Sequence, residues 1–149
     1  KNRDPQTARL PYDLRFHGEI RQCGKVTSLR CTVYTLTGGA HGLLTNLFFN
    51  FDTESGKPLD KADLFSDTAG LQRLNRQYFA KHLSYAALSE DALFVGTDQL
   101  PLPENVGIDS SGVTMLYNPY EVAPYAIGTI EYRIPYEQAE PLLKRIARR

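Results

Sequence analysis

The sequence predicts an α+β fold in which a mainly antiparallel β-sheet packs against one long helix and a short C-terminal helix. Three alternating polar and apolar runs follow one another near the N-terminus, then comes a helical segment, and then two further alternating runs and a last helix. Because strict strand-helix alternation is missing, a doubly wound parallel sheet is disfavoured. The length of 149 residues suits one domain. We therefore predict a linker or tail over residues 1–13 and a single domain over 14–149.

The first three strands are predicted from period-2 alternation. Apolar residues at every second position from Leu14 to Ile20 indicate a half-buried strand. A turn at Gly24-Lys25 leads into a second strand whose two faces both carry apolar residues, which is typical of an inner strand. This register keeps Cys23 and Cys31 apart and argues against a disulfide. The stretch "LLTNLFFNFD" is a third strand, antiparallel to the second.

The helices are predicted from three- and four-residue spacing. "DKADLF" favours a short helical turn, and residues 68–84 form the long helix, with Ser66 or Asp67 as its cap. The prolines within residues 89–109 indicate loop, and strands follow at 113–117 and 130–134. A final helix over 137–147 requires Pro141 in its first turn, and the basic residues at its end would complement the helix dipole.

Charge and composition disfavour several kinds of partner. Seventeen basic side chains balance seventeen acidic ones, so no overall field would attract nucleic acid or an anionic membrane. No apolar run approaches the roughly 20 residues that span a bilayer, so membrane attachment would need an anchor outside this chain. The three histidines and two cysteines lack the spacing of metal sites, and no cofactor motif is present. We expect no catalytic, cofactor-binding or metal-binding residues.

The segment "TGGAHG" between the second and third strands raises the question of whether His41 has a chemical or a structural role. Its glycines open a strand rather than a helix, which disfavours phosphate binding. We predict that Gly38 and Gly39 supply positive φ angles for a tight connection. Gly42 would let the next strand start close to its neighbour, and His41 would be a hydrogen-bonded pin for the turn.

The segment "NPYEVAPYAIG" is the predicted contact surface. Tyrosines combined with prolines present a large contact area at low ordering cost, which suits recognition of a protein or a glycan. Tyr120, Glu121, Pro124 and Tyr125 form the predicted partner-binding strip. The alternative is structural: the two tyrosines would cover the edge of the core, with their hydroxyls bonded to backbone.

Two long stretches resemble the two ends of the DUF3298 domain. The first, "YTLTGGAHGLLTNLFFNFDTESGKPLDKADLF", carries the Gly-rich turn, the asparagine-containing strand and "GKPL" before "DLF". The second, "GVTMLYNPYEVAPYAIGTIEYRIPYEQAEPLL", carries the tyrosine-proline segment, a strand and "IPY". The order and spacing of these motifs fit from about Tyr34 to Leu143. Residues 14–33 would correspond to strands just upstream, where a DUF4163 region often precedes this domain, and at most part of that region would be present.

The resemblance implies an extracytoplasmic domain of the bacterial cell envelope, periplasmic or on the surface, often as a lipoprotein or on a membrane anchor. The family includes the extracytoplasmic part of RsiV-type anti-sigma factors, which binds lysozyme, and an accessory region of some peptidoglycan deacetylases; many members are uncharacterised. We therefore expect a non-catalytic module that binds a lysozyme-like protein or a cell-wall glycan. Two alternatives stay open: a hydrolase that uses His41 with Asp52 or Glu121, and a structural accessory module of a larger envelope protein.

Overall fold

The computed structural model describes residues 12–38 and 40–149, whose strands form two antiparallel sheets. The first sheet has the order β1 (Tyr12–Cys23), β2 (Val26–Thr37), β3 (Leu43–Asp52) and β4 (Pro58–Leu59). The second sheet has the order β5 (Asn105–Asp109), β6 (Gly112–Tyr117) and β7 (Ile130–Pro135). The predicted α+β class with antiparallel strands is confirmed. The strands divide between two sheets because β5 lies against the face of β1, β2 and β3 rather than extending their hydrogen-bonded ladder.

The predicted hairpin and inner strand are both present in the first sheet. The turn at Gly24-Lys25 pairs Cys23 with Val26, and β2 lies between β1 and β3. Strand β1 begins at Tyr12, two residues inside the predicted tail, and residues 1–11 lie outside the described residues. Cys31 pairs with Gly18 and therefore lies on the opposite face from Cys23; both cysteines are free.

The apolar face of β1 differs from the prediction. Alternation predicts that Leu14, Phe16 and Ile20 face a core, whereas these three side chains are exposed. The polar positions of β1 face the second sheet instead, where Arg21 contacts Asp109 of β5. Periodicity assigns side chains to faces, but it does not determine which face another layer covers.

The long helix and its cap follow the sequence closely. Helix α2 (Thr68–Tyr85) begins after Asp67, whose carboxylate accepts a hydrogen bond from the backbone N–H of Gly70 at 2.7 Å. At the N-terminus of helix α1 (Lys61–Leu64), Asp60 and Asp63 form a capping box. Within the described part of the chain, no helix has both the length and the apolar character needed to cross a bilayer.

The region predicted as loop before Ser110 contains a strand that the sequence analysis missed. Asn105–Asp109 forms β5, and all five residues are buried. The strand is short, contains Gly107 and follows two prolines, so its local signal is that of a loop. A Cβ atom at Gly107 would overlap the ring of Phe48, which shows how closely the two sheets approach there.

The predicted C-terminal helix over 137–147 is wrong in extent. Only Tyr136–Ala139 is α-helical (α3), and two 3₁₀ turns follow at Glu140–Leu142 and Arg145–Ala147. Pro141 has no N–H to continue an α-helix, and Leu143 is extended because its backbone bridges to that of Phe65. The basic end of the chain therefore does not cap a helix. It packs on the β1-β2 turn, where the Lys25 N–H donates to the Ile146 carbonyl at 2.9 Å.

The core lies between the second sheet and the helices. Its fully buried side chains come from both, with Leu100 added from a loop; the largest are Tyr117, Phe79, Leu64, Leu71, Leu100, Ile108, Met115, Ile130 and Ile134. Asn75 of α2 is also fully buried and links two tyrosines: its amide donates to Tyr117 Oη at 2.9 Å and accepts from Tyr132 Oη at 2.7 Å. Burial raises the pKa of Tyr117 to about 12, so the network is uncharged at neutral pH.

Several polar contacts join the two sheets. Ser28 accepts a hydrogen bond from the Ile108 N–H at 2.9 Å, and Asn105 accepts one from the Phe48 N–H at 3.0 Å. The Asp109 carboxylate forms ion pairs with Arg21 of β1 at 2.9 Å and with Arg133 of β7 at 3.1 Å. Burial raises the pKa of Asp109, but hydrogen bonds from Arg21 and Ser111 together with the charge of Arg133 outweigh that effect, so the net shift is downward.

Candidate functional site

The two segments singled out in the sequence lie against each other. One is the β2-β3 connection, and the other is the long loop between β6 and β7. Tyr125 Oη donates to the carbonyl oxygen of Gly42 at 2.7 Å across a separation of 83 residues. The ring of His41 stacks on that of Tyr125, with centroids 4.2 Å apart and planes 25° apart. Sequence reasoning treated the two segments as separate features, and the fold combines them into one surface.

Three rings form a row that we call the aromatic strip, defined as His41, Tyr125 and Tyr120. The Tyr120 and Tyr125 centroids are 5.9 Å apart with an interplanar angle of 31°. His41 is exposed, Tyr125 is half-buried, and Tyr120 is 57% exposed. The structural alternative therefore describes Tyr125, whose hydroxyl bonds to backbone, but not Tyr120, whose ring faces solvent.

Two buried residues anchor the β6-β7 loop to the core. Val122 and Ala123 are 1% and 2% exposed and belong to the core. The Val122 carbonyl accepts a hydrogen bond from the Phe94 N–H at 2.9 Å. Glu121 and Pro124, which flank this buried pair, are exposed, and so is Tyr120. The loop thus presents polar and aromatic groups from a fixed backbone.

Tyr120 has a left-handed backbone conformation with φ of +74°. A bulky residue in this region costs on the order of 1–3 kcal/mol and persists only where its surroundings hold it. Here the Tyr120 N–H donates to the Ala123 carbonyl at 3.0 Å, and the Glu121 N–H donates to the Asn118 carbonyl at 3.1 Å. Such strained residues cluster at ligand-binding sites. No sequence pattern indicated this conformation.

Asn118 connects the loop to the first sheet, and the sequence analysis missed it. Its Oδ1 accepts a hydrogen bond from the Asn46 N–H at 2.7 Å, and its Nδ2 donates to the Asn46 carbonyl at 2.8 Å. The same Nδ2 lies 3.1 Å from Glu121 Oε1. The Asn46 side chain in turn accepts from Thr32 Oγ1 at 2.9 Å and from Arg30 Nη2 at 3.0 Å. The only sequence signal was that Asn118 is the first residue of the unusual segment.

The predicted turn residues adopt the geometry of a tight connection. Gly38 has φ of +86°, in the left-handed region that favours glycine. Gly42 is buried, and a Cβ atom there would overlap the ring of Tyr34 on the neighbouring strand. His41 Nδ1 lies 3.3 Å from the Gly42 carbonyl oxygen, so the ring bonds to its own turn while it stacks on Tyr125. Gly39 lies outside the described residues.

The structure does not pair His41 with Asp52. Asp52 ends β3, while His41 lies just before the start of that strand, so the two are separated by about 30 Å of extended chain. The Asp52 carboxylate accepts from the backbone and side chain of Ser55, which lowers its pKa. Glu121 bonds to Asn118, and across residues 12–38 and 40–149 no ion pair involves His41. Among the described residues, neither carboxylate forms a hydrogen bond or an ion pair with His41.

A separate cleft of about 650 Å³ opens at the opposite end of the first sheet. It is lined by Lys25, Asp52, Glu54, Arg145, Ile146, Arg148 and Arg149. Lys25 pairs with Glu54 at 2.8 Å, and Arg149 pairs with Glu137 at 3.2 Å. The cleft shares no residue with the aromatic strip, so binding at the two places can be tested independently. In the described part of the chain, no group of three histidine, cysteine or carboxylate side chains is placed to hold a metal ion.

Comparison with protein families gives one match. A family model described as a protein of unknown function, DUF3298, matches residues 62–137, just over half of the chain. This span includes α2, the second sheet and the loop with Tyr120 and Tyr125. It begins after the β2-β3 connection and is therefore narrower than the region over which the motifs were expected to fit. No curated protein matches the chain.

Solved structures support the same assignment. A DUF3298 family protein from Pseudomonas aeruginosa PAO1 has a TM-score of 0.69 and 23% identity, with 92% of this chain and 64% of that chain covered. A DUF3298 family member from Bacteroides fragilis NCTC 9343 has a TM-score of 0.69 and 27% identity, with 91% of this chain and 55% of that chain covered. The present chain thus spans less than two thirds of each of these proteins.

Proposed function

Because the chain belongs to the DUF3298 family, whose function is unknown, we propose a function from the geometry of its surface. This domain is a non-catalytic binding module of the bacterial cell envelope, located outside the cytoplasmic membrane. Its ligand is a lysozyme-like protein or a cell-wall glycan, which it contacts through the aromatic strip together with Glu121 and Pro124.

One observation carries this proposal: His41 of the β2-β3 connection and Tyr125 and Tyr120 of the anchored β6-β7 loop form one row of rings. Aromatic rings provide a large apolar area with few rotatable bonds, so little entropy is lost when a ligand packs against them. The left-handed backbone of Tyr120 holds its ring outward before any ligand arrives. A preorganised and partly exposed aromatic surface is the kind of feature that dominates binding energy in protein interfaces.

The polar groups beside the rings add directionality. Glu121 is exposed and carries the carboxylate nearest in sequence to Tyr120. It can accept hydrogen bonds from hydroxyl or amide groups of a glycan, or from basic side chains of a protein. Pro124, which directly precedes Tyr125, is exposed and offers a further apolar group to a ligand.

Isothermal titration calorimetry with lysozyme and with soluble muropeptides tests the proposal. Replacing Tyr120 by alanine removes an exposed ring, and we expect affinity to fall about 10- to 100-fold, as for a central interface aromatic. Tyr125→Ala removes the middle ring and is expected to act in the same direction. Tyr85→Ala is the matched control, because Tyr85 is 93% exposed and lies outside the strip.

Three results would contradict the proposal. Affinity that is unchanged in both strip variants would remove the strip from consideration. If Arg145→Ala at the basic cleft abolished binding instead, the ligand would be assigned to that cleft. Failure of both lysozyme and muropeptides to bind the wild-type protein would exclude these two ligand classes.

A further inference from the structure

The outer face of the first sheet, turned away from β5, carries no charged side chain on β1, β2 or β3. The register places these uncharged residues in three adjacent rows: Tyr12, Leu14, Phe16, Gly18, Ile20 and Gln22 on β1; Thr27, Leu29, Cys31, Val33, Thr35 and Thr37 on β2; Leu43, Thr45, Leu47, Phe49 and Phe51 on β3. The opposite face of β1 carries Asp13, Arg15, Glu19 and Arg21. Charge is therefore absent from the face that the described residues leave open.

This face is exposed along much of its length. Leu14, Phe16 and Ile20 are 72%, 69% and 70% exposed, and Leu47 and Phe49 are also accessible. Soluble proteins rarely leave a contiguous apolar patch of this kind without a partner. Three strands about 4.8 Å apart and about ten residues long cover a footprint of roughly 14 by 33 Å. An α-helix of about 20 residues, roughly 10 Å wide and 30 Å long, fits that footprint.

We propose that the outer face is the docking site of an amphipathic α-helix with an uncharged apolar stripe. In the two solved relatives, more than a third of one chain and close to half of the other have no counterpart in this sequence, so ample polypeptide exists there to supply such a layer. A helix that is joined to this domain in one polypeptide has a high effective concentration at the sheet, which favours it over a second copy that must associate from solution. Covering both faces of a sheet is also the common layered solution for burying its apolar residues.

The two solved relatives provide the first test. After superposition, the accessible surface of the side chains equivalent to Leu14, Phe16 and Ile20 is measured with and without the part of each relative that this chain does not match. The expected result is apolar side chains that are buried under a helix from that part. Exposed or charged residues at these positions, or cover supplied by a neighbouring copy, would overturn the proposal.

The second test uses the present chain in solution. Binding of the dye bis-ANS is compared between the wild type and Phe16→Lys/Ile20→Lys, with light scattering to determine mass. We expect a monomer whose dye fluorescence falls several-fold in the double variant. Tyr85→Lys/Phe94→Lys is the control, because it changes two exposed apolar residues off the face and should retain the signal. Circular dichroism verifies folding, which exposed positions should tolerate.

The same measurements distinguish the other occupants. A wild-type dimer that dissociates in Phe16→Lys/Ile20→Lys would show that a second copy covers the face, and dye binding unchanged in that variant would show that the face is not an open apolar site. Either result would overturn the proposal. A synthetic peptide of the covering helix from the Bacteroides fragilis relative should displace the dye from the wild type and bind the double variant weakly; failure to bind the wild type would count against the helix. None of these outcomes depends on the ligand of the aromatic strip.

Discussion

Asn118 joins the loop that carries Tyr120 and Tyr125 to strand β3, and Asn118→Ala removes that connection without changing an aromatic ring. The wild-type side chain makes a paired contact with the backbone N–H and carbonyl of Asn46 at 2.7 and 2.8 Å. Asn46 is 2% exposed, so water does not readily replace the lost partner. The substitution therefore tests whether this contact holds the loop on the sheet.

The magnitude follows from the hydrogen bonds that are lost. Each contributes about 1 kcal/mol net, and the buried N–H of Asn46 left without its acceptor costs about 1–2 kcal/mol more. We expect the free energy of unfolding to fall by about 3–4 kcal/mol in total. For a chain of this size the melting temperature should fall by roughly 5–15 °C.

Urea unfolding monitored by circular dichroism measures the effect. Asn118→Asp keeps the acceptor for the Asn46 N–H, but it places a carboxylate oxygen against the Asn46 carbonyl and beside the Glu121 carboxylate, so its destabilisation should be at least as large as that of Asn118→Ala. Gln77→Ala, which removes an exposed amide from α2, is the control for amide loss as such. If Asn118→Ala and Gln77→Ala differed by less than about 0.5 kcal/mol, the usual range of surface substitutions, the reasoning would be refuted.

Three further predictions concern buried contacts. Asn75→Leu removes the amide that bonds two buried tyrosine hydroxyls and should lower the free energy of unfolding by about 2–4 kcal/mol in urea titrations; an unchanged midpoint would contradict this. Asp109 has a lowered pKa in the folded protein, so its stabilisation is present above its ordinary pKa of 3.8 and is lost as the pH falls through the lower folded value. The stability difference between wild type and Asp109→Asn should therefore be constant from about pH 7 to 5 and shrink below about pH 4; a difference that grew on acidification would reverse the assigned sign. Gly42→Ala places a methyl group against the Tyr34 ring and should cost about 1–3 kcal/mol, whereas Gly18→Ala, which meets only ordinary contacts, should be nearly neutral in the same thermal melts.

Local patterns predicted the elements whose causes are local. The β1-β2 turn depends on Gly24, and α2 depends on its apolar spacing and on the Asp67 cap, all of which can be read within a few residues. The class of the fold and the antiparallel pairing of β1, β2 and β3 follow from such signals. The predictions failed where contacts beyond the local pattern decided the conformation, as at β5, which pairs with β6 and packs on the first sheet, and at Leu143, which bridges to Phe65.

The candidate site was also predicted only in part. The sequence identified "TGGAHG" and "NPYEVAPYAIG" as unusual, and both contribute rings to the aromatic strip. It could not show that His41 stacks on Tyr125, that Tyr120 is left-handed, or that Asn118 bonds to Asn46. The stacking of His41 on Tyr125 and the bonds of Asn118 to Asn46 arise where the β6-β7 loop packs on the first sheet, and the Tyr120 conformation is held by hydrogen bonds within that loop.

By itself, the sequence determined most of the strands and helices, with the exception of β5 and the extent of the last helix, and which side chains share a face, because periodicity and caps act within one or two turns of chain. Only the tertiary structure decided which face is covered. The apolar side chains of β1 alternate as a core strand's do, yet Leu14, Phe16 and Ile20 face outward, while the charged face pairs Arg21 with Asp109. The physical reason is that burial depends on the layer that packs against a face, and the identity of that layer is not encoded in the strand itself.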